Sequence, residues 1–209
     1  MMSIFLHKIS FRIRKYGNVI KTFPKQYIDF FYLRFHGVET KFGYVKLYGF
    51  PIIKKCKGST IKLGNGCSIV SKTKYNVAGV FHRSLITTLT PTAVIEIGKS
   101  GMSGVVICAA HKINIGDDCA LGVNSKIYDT DFHCINPIDR INQTSINQAK
   151  SKPVVINDSV WLSVDTIILK GVTIGYASIV GAGSVVKSNI PELEIHAGNP
   201  CVFIKKINL

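Results

Sequence analysis

Nowhere in the 209 residues does an apolar run approach the ~20 that a bilayer-spanning helix requires, so none is expected. Acidic residues are scarce, 12 against 26 Lys and Arg, and charged residues make up only 18% of a chain that is 46% hydrophobic. So little charge beside so much apolar surface excludes a largely disordered protein. No Cys-x-x-Cys occurs among Cys56, Cys67, Cys108, Cys119, Cys134 and Cys201, and nothing marks secretion. Free thiols acting as small core hydrophobes are therefore expected. The opening "MMSIFLHKISFRIRK" has charges inside its apolar stretch and lacks a small-residue cleavage site, so it does not read as a signal peptide. A cytoplasmic protein is the expectation. Walker and Rossmann glycine patterns are also missing, which argues against a fused sugar-nucleotide transferase.

The net charge of +14 is unevenly placed. Residues 1–57 hold 12 Lys and Arg against Asp29 and Glu39 alone, and the remainder is nearly balanced. That favours contact with an anionic surface over a chain that binds nucleic acid along its length. Within this basic segment Phe5, Ile9, Ile13, Tyr16 and Ile20 recur at helical spacing, while "FGYVKLYGFPIIKK" alternates as strands do. Two readings follow. Residues 1–57 cap the open end of the body that follows, or they anchor it to the inner face of a membrane, and the two roles are compatible.

From there on the chain keeps a beat of six. Ile156, Leu162, Ile168, Ile174, Val180 and Val186 form one column, and Val154, Val160, Thr166, Val172, Ser178 and Ser184 run two places ahead of it. Upstream the same register reads Ile97, Ser103, Ala109, Ile115, Leu121 and Ile127. A helix repeats at 3.6 and a strand at 2; six fits neither alone. It fits short strands separated by turns, each sending one large and one small side chain into a narrow interior. A parallel β-helix of hexapeptide repeats, coils ~4.8 Å apart, is the expected fold. A two-layer sheet protein is the competing reading.

"INIGDDCALGVNSKIYDTDFHCI" and "VVINDSVWLSVDTIILKGVTIGYASIVGAGSVVKSNIPELEIHAGNPCVFIKKI" resemble the hexapeptide-repeat acyltransferases, in particular the O-acetyltransferases of bacterial surface polysaccharides. The resemblance covers about residues 60–206. It implies a left-handed β-helix over 58–190, closed by a tail at 191–209, and a homotrimer with sites between subunits. It also implies acetyl-CoA as co-substrate, a sugar or oligosaccharide acceptor, and no metal. The left hand runs against the usual crossover rule and comes from the resemblance, not from the spacing.

Ile127 and Ile156 are 29 residues apart, which is not a multiple of six, so about 130–152 must leave the coil as a loop. Its Asn- and Gln-rich composition agrees, and loops on rigid scaffolds carry function more often than chance. His133 sits at its root. A neutral imidazole there can take the proton of a sugar hydroxyl as the oxygen attacks a thioester, and return it to the leaving thiolate. A fixed backbone N–H would hold the oxyanion. His133 also matches the family's D-x-D-F-H pattern and is the candidate general base. Asp131 either orients it or is an exposed turn carboxylate, and Asp129 is the weaker candidate.

In the family, the position of Trp161 borders the pantetheine arm of coenzyme A. Ala182 and Gly183 are candidates for the pantetheine wall through main-chain groups. Lys187 and Lys205, with Lys206, are candidates for the nucleotide phosphates. This chain departs from the family there: Val202 stands where Arg is frequent, and Lys187 lies one place early. Ser103 is the candidate acceptor-binding residue, against the reading of a small core residue. Transfer to an amino sugar is the near alternative. A zinc hydrolase needs three convergent imidazoles, and His111 and His133, 22 apart, supply no such spacing. A scaffold without catalysis is the remaining one.

Overall fold

Both columns of the beat turn inward. The computed structural model describes residues 24–208. In it Ile156, Leu162, Ile168, Ile174, Val180 and Val186 are each no more than 1% exposed, and so are the six residues of their companion column. Strands of two to four residues pair in parallel with the strand eighteen positions on: Val155 with Thr173, Trp161 with Ile179, Ile167 with Val185. Three strands complete a coil, and stacked coils make three sheets of five, eight and six strands in that order round the coil. The chain is a left-handed parallel β-helix.

The corners repeat as faithfully as the strands. Ser159 and Ala177 take left-handed backbone conformations at one corner, and Asp165 and Gly183 do so at the next. The conformation costs a non-glycine residue about 1 kcal/mol. It aims the N–H at the coil before: Ala177 N donates to Asp158 O at 3.0 Å and Gly183 N to Val164 O at 2.9 Å. Ser159 N and Asp165 N donate likewise, to Asp117 O and Val123 O, which offsets the strain.

The upstream column keeps its register at Ile97, Ile115, Leu121 and Ile127 and loses it between them, where Met102 and Ile107 stand in the places expected for Ser103 and Ala109. Ile97, Ala109, Ile115, Leu121 and Ile127 are buried, but Ser103 and Gly101 are not. Ser100 and Met102 take the inward places instead, Met102 opposite Ile69 and Leu121. The steps from Ile97 to Met102 and from Met102 to Ile107 are each one residue short, and the step from Ile107 to Ile115 restores both, so Ser103 faces outward.

Parallel stacking begins at Val45, upstream of the boundary at 58, because Val45 and Leu47 already supply an inward pair. Residues 24–35 form a helix (α1) that closes this end. Leu33 and Val38 are fully buried beneath it. Asp29, 4% exposed, accepts from Leu47 N at 3.0 Å and Lys25 Nζ at 2.6 Å. The stripe from Phe5 to Ile20 lies outside the described residues. At the other end Glu194–Ala197 adds a last parallel rung, and Val202–Lys206 folds back antiparallel across it. Both ends are thereby covered, which is what a stack of open strands needs.

Gly122 is fixed by the next coil. A Cβ there would lie 2.6 Å from Ser163 C and 2.7 Å from Leu162 O, both backbone atoms. At Gly183 a Cβ meets nothing within 4 Å, and only φ of +67° resists. Gly122→Ala is therefore expected to lower stability by about 1–3 kcal/mol in chemical denaturation. Gly183→Ala should cost about 1 kcal/mol.

Candidate active site

The chain leaves the six-stranded face after Lys126–Tyr128 and rejoins the five-stranded face at Val154–Ile156, so the loop springs from the corner between them. Its neck is tied by the Thr130–Ser151 bridge and by Asp131 N donating to Lys150 O at 3.1 Å. Inside it lies a short helix, Pro137–Ile141 (α2), capped by Asn136 Oδ1, which accepts from Ile138 N at 2.8 Å. Gln143 staples the loop to its root: Oε1 accepts from Cys134 N and Nε2 donates to Phe132 O, both at 2.9 Å. Asn and Gln replace the strand ladder with side-chain amides here, which is why the composition changes.

His133 stands at this root with its backbone N–H donating to Asp131 O at 2.7 Å. Its ring is exposed and bonds no described residue. The two neighbouring carboxylates do different work. Asp129 is wholly buried and accepts from Ala110 N and His111 N, both at 2.7 Å, tying the root to the coil beneath. Burial pushes its carboxyl above the ordinary range, and those N–H groups pull against the shift. Asp131 turns to Lys170 Nζ, 2.6 Å away in the next coil, rather than to His133, while its Oδ2 is buried without a partner. Lys170 escaped the sequence reading, since its contact spans 39 positions and two coils.

Ser103 and Trp161 come together on the eight-stranded face, lining one cleft with Asn76, Ala120, Gly122 and Val164. The slip at Met102 puts Ser103 there, and its Oγ accepts from Asn76 Nδ2 at 2.9 Å. Asn76 belongs to a second excursion, roughly 71–84, between partners Ile52 and Leu85 that stand 33 positions apart. Trp161 is 51% exposed, a wall of this cleft and not a core residue. Ala182 and Gly183 stack on Val164 at the adjoining corner, so the proposed coenzyme wall continues the cleft. Lys187 lies instead on the corner of His133, two coils further along, and Lys205 on the antiparallel end strand; both are exposed. Among the described residues no three His, Cys, Asp or Glu side chains converge as a metal-binding set.

Two groups of candidates thus occupy two different corners of one chain. His133 and Asp131 sit between the six- and five-stranded faces; Ser103 and Trp161 lie on the eight-stranded face, with Ala182 and Gly183 at its corner with the six-stranded one.

The coiled stack is a fold shared with solved hexapeptide-repeat acetyltransferases. The known proteins this chain is similar to are acetyltransferases. It is 34% identical over 118 residues to a galactoside O-acetyltransferase of Lactococcus lactis, covering 53% of this chain and 55% of that one. It is 36% identical over 110 residues to a putative lipopolysaccharide biosynthesis O-acetyl transferase of Escherichia coli, covering 50% and 55%. The crystal structure of a hexapeptide-repeat-containing acetyltransferase from Vibrio cholerae superposes with a TM-score of 0.50 at 28% identity, covering 58% of this chain and 70% of that one. The chain spans about half the length of the curated relatives it matches. No protein-family model matches it.

The Lys170–Asp131 pair is half-buried, with side chains 24% and 27% exposed, and it is the loop root's ionic tie to the coil beyond. Lys170→Ala is expected to ease local opening by about 1 kcal/mol and speed proteolysis within 130–152 roughly fivefold. Lys187→Ala should leave the cleavage rate unchanged.

Proposed function

We propose that this protein transfers an acetyl group from acetyl-CoA to a hydroxyl of a sugar in a bacterial surface polysaccharide or its precursor. The observation that carries the reading is a histidine on an anchored loop root, its ring exposed and bonded to no described residue, on the repeat scaffold of acetyltransferases. The similarity to a lipopolysaccharide O-acetyltransferase supports the acceptor class. Acetyl-CoA is made in the cytoplasm, and the reaction belongs there.

In this reading His133 accepts the hydroxyl proton as the sugar oxygen bonds to the thioester carbonyl carbon. The carbonyl oxygen takes up the electron pair, held by a backbone N–H. On collapse the carbon–sulfur bond breaks and His133 hands its proton to the departing thiolate. No acyl-enzyme forms. Trp161, with the open corner at Ala182 and Gly183, borders the pantetheine arm; nothing lies within 4 Å of a Cβ at Gly183, so a ligand can approach the main chain closely. Lys187 and Lys205 meet the phosphates, and Ser103 meets the acceptor. Because His133 and this cleft lie at different corners, one site draws His133 from one subunit and Trp161 from another, in a homotrimer.

Acetylation of a panel of sugars, sugar nucleotides and oligosaccharides, followed by acceptor mass, tests the reading. His133→Ala is expected to lose 10²–10⁴-fold in rate with folding intact; equal rates would remove His133 from the chemistry. Mild alkali should release the acetyl group as an ester, whereas retention identifies an amide and an amino-sugar acceptor. Subunit sharing has its own test, in which equal amounts of inactive His133→Ala and Trp161→Ala chains are dissociated and reassembled. Random assortment should restore about a quarter of wild-type activity. A site built within one chain would restore none.

A further inference from the structure

The helix at 24–35 has two unlike faces. The inner face packs on the first coil through Leu33, fully buried, and Asp29, 4% exposed. On the other side Ile28, Phe31 and Phe35 are 55%, 63% and 89% exposed. Their spacing of three and four places them in one stripe along the helix. Phe30 meets Phe31 edge to face at 5.6 Å, which holds the stripe's middle ring in place. Scattered apolar residues on a surface need no explanation, but an aligned stripe of large ones is a mark of a docking face.

The segment that carries it, residues 24–62, is strongly basic. It holds Lys25, Arg34, Lys41, Lys46, Lys54, Lys55, Lys57 and Lys62 against Asp29 and Glu39. Asp29 is buried and already answered by Lys25 and Leu47 N, so Glu39 is the accessible acid. Among the described residues, none of the six lysines from Lys41 to Lys62 makes an ion pair. Aromatic side chains on one face of a helix, within a basic segment, suit the boundary of an anionic bilayer. The rings enter the acyl–headgroup region while lysines meet the lipid phosphates. No described helix is long and apolar enough to cross a membrane, so the contact is one of lying on the surface.

We propose that the outer face of this helix, through Ile28, Phe31 and Phe35, docks the protein on an anionic lipid bilayer. The helix then does both things the sequence offered. Its inner face caps the solenoid, and its outer face is the membrane contact.

The test is sedimentation of the full chain with vesicles, either all phosphatidylcholine or with roughly a third phosphatidylglycerol. Wild type should bind the anionic vesicles, weakly or not at all the neutral ones, and release as salt rises. The double variant F31S/F35S should bind at least about tenfold more weakly with unchanged melting temperature and oligomeric size. Ile138→Ser, which removes an equally exposed apolar side chain from the excursion loop, should bind as wild type. Absence of wild-type binding, equal binding to neutral vesicles, or undiminished binding by the double variant would overturn the proposal. So would a change of oligomeric size in the double variant with vesicle binding intact, because a second copy would then be the occupant. None of these readouts depends on acetyl transfer.

Discussion

Each strand of this protein is held by the strand one coil away, through backbone hydrogen bonds that recur every eighteen residues in the last coils. Everything else is subordinate to that ladder. The interior is too narrow for more than one large and one small side chain per strand, so the columns at Ile156 and Val154 admit little but β-branched and small residues. An extra residue has nowhere to go inside. It must leave at a corner, where the outgoing and returning strands can close behind it without breaking their rungs.

The placement of chemistry follows. A strand residue points either into a packed interior or onto a flat face, and neither makes a site alone. Corners can extrude chain without disturbing the stack, and both long excursions do so. At the loop of His133 the closure is unusually firm: Asp129 is sunk into the corner below and Asp131 is tied to Lys170 above. The backbone beneath His133 is thus fixed from two coils at once, while its ring is left open. A rigid base under a free functional group is what precise proton transfer requires.

The repeat was legible because a narrow interior imposes the same choice at every sixth position, and such a constraint leaves its mark on sequence. The excursion at 130–152 was legible by arithmetic, since 29 is not a multiple of six. Less could be seen where the chain bends its own rule. Nothing in "GMSG" says that Met102 and not Ser103 turns inward; the slip is decided by the fit of Met102 against Ile69 and Leu121. The loop near 71–84 was indistinct because the inward residues before it, Leu47, Ile53, Leu63 and Ile69, are not evenly spaced by six. Contacts between coils, such as Lys170 with Asp131, leave no trace in spacing at all.

That one-residue slip has a consequence out of proportion to its size. Had Ser103 kept the register, its hydroxyl would be inside the core, bonded as Ser125 and Ser178 are to carbonyls of their own stack. Turned outward, it meets Asn76 from the second excursion and joins the wall opposite Trp161. Its oxygen accepts the amide proton of Asn76, which leaves its own proton to donate. A scaffold with so narrow an interior can still place a polar group in a cleft, by shortening one corner by a single residue and making up the length further round the coil.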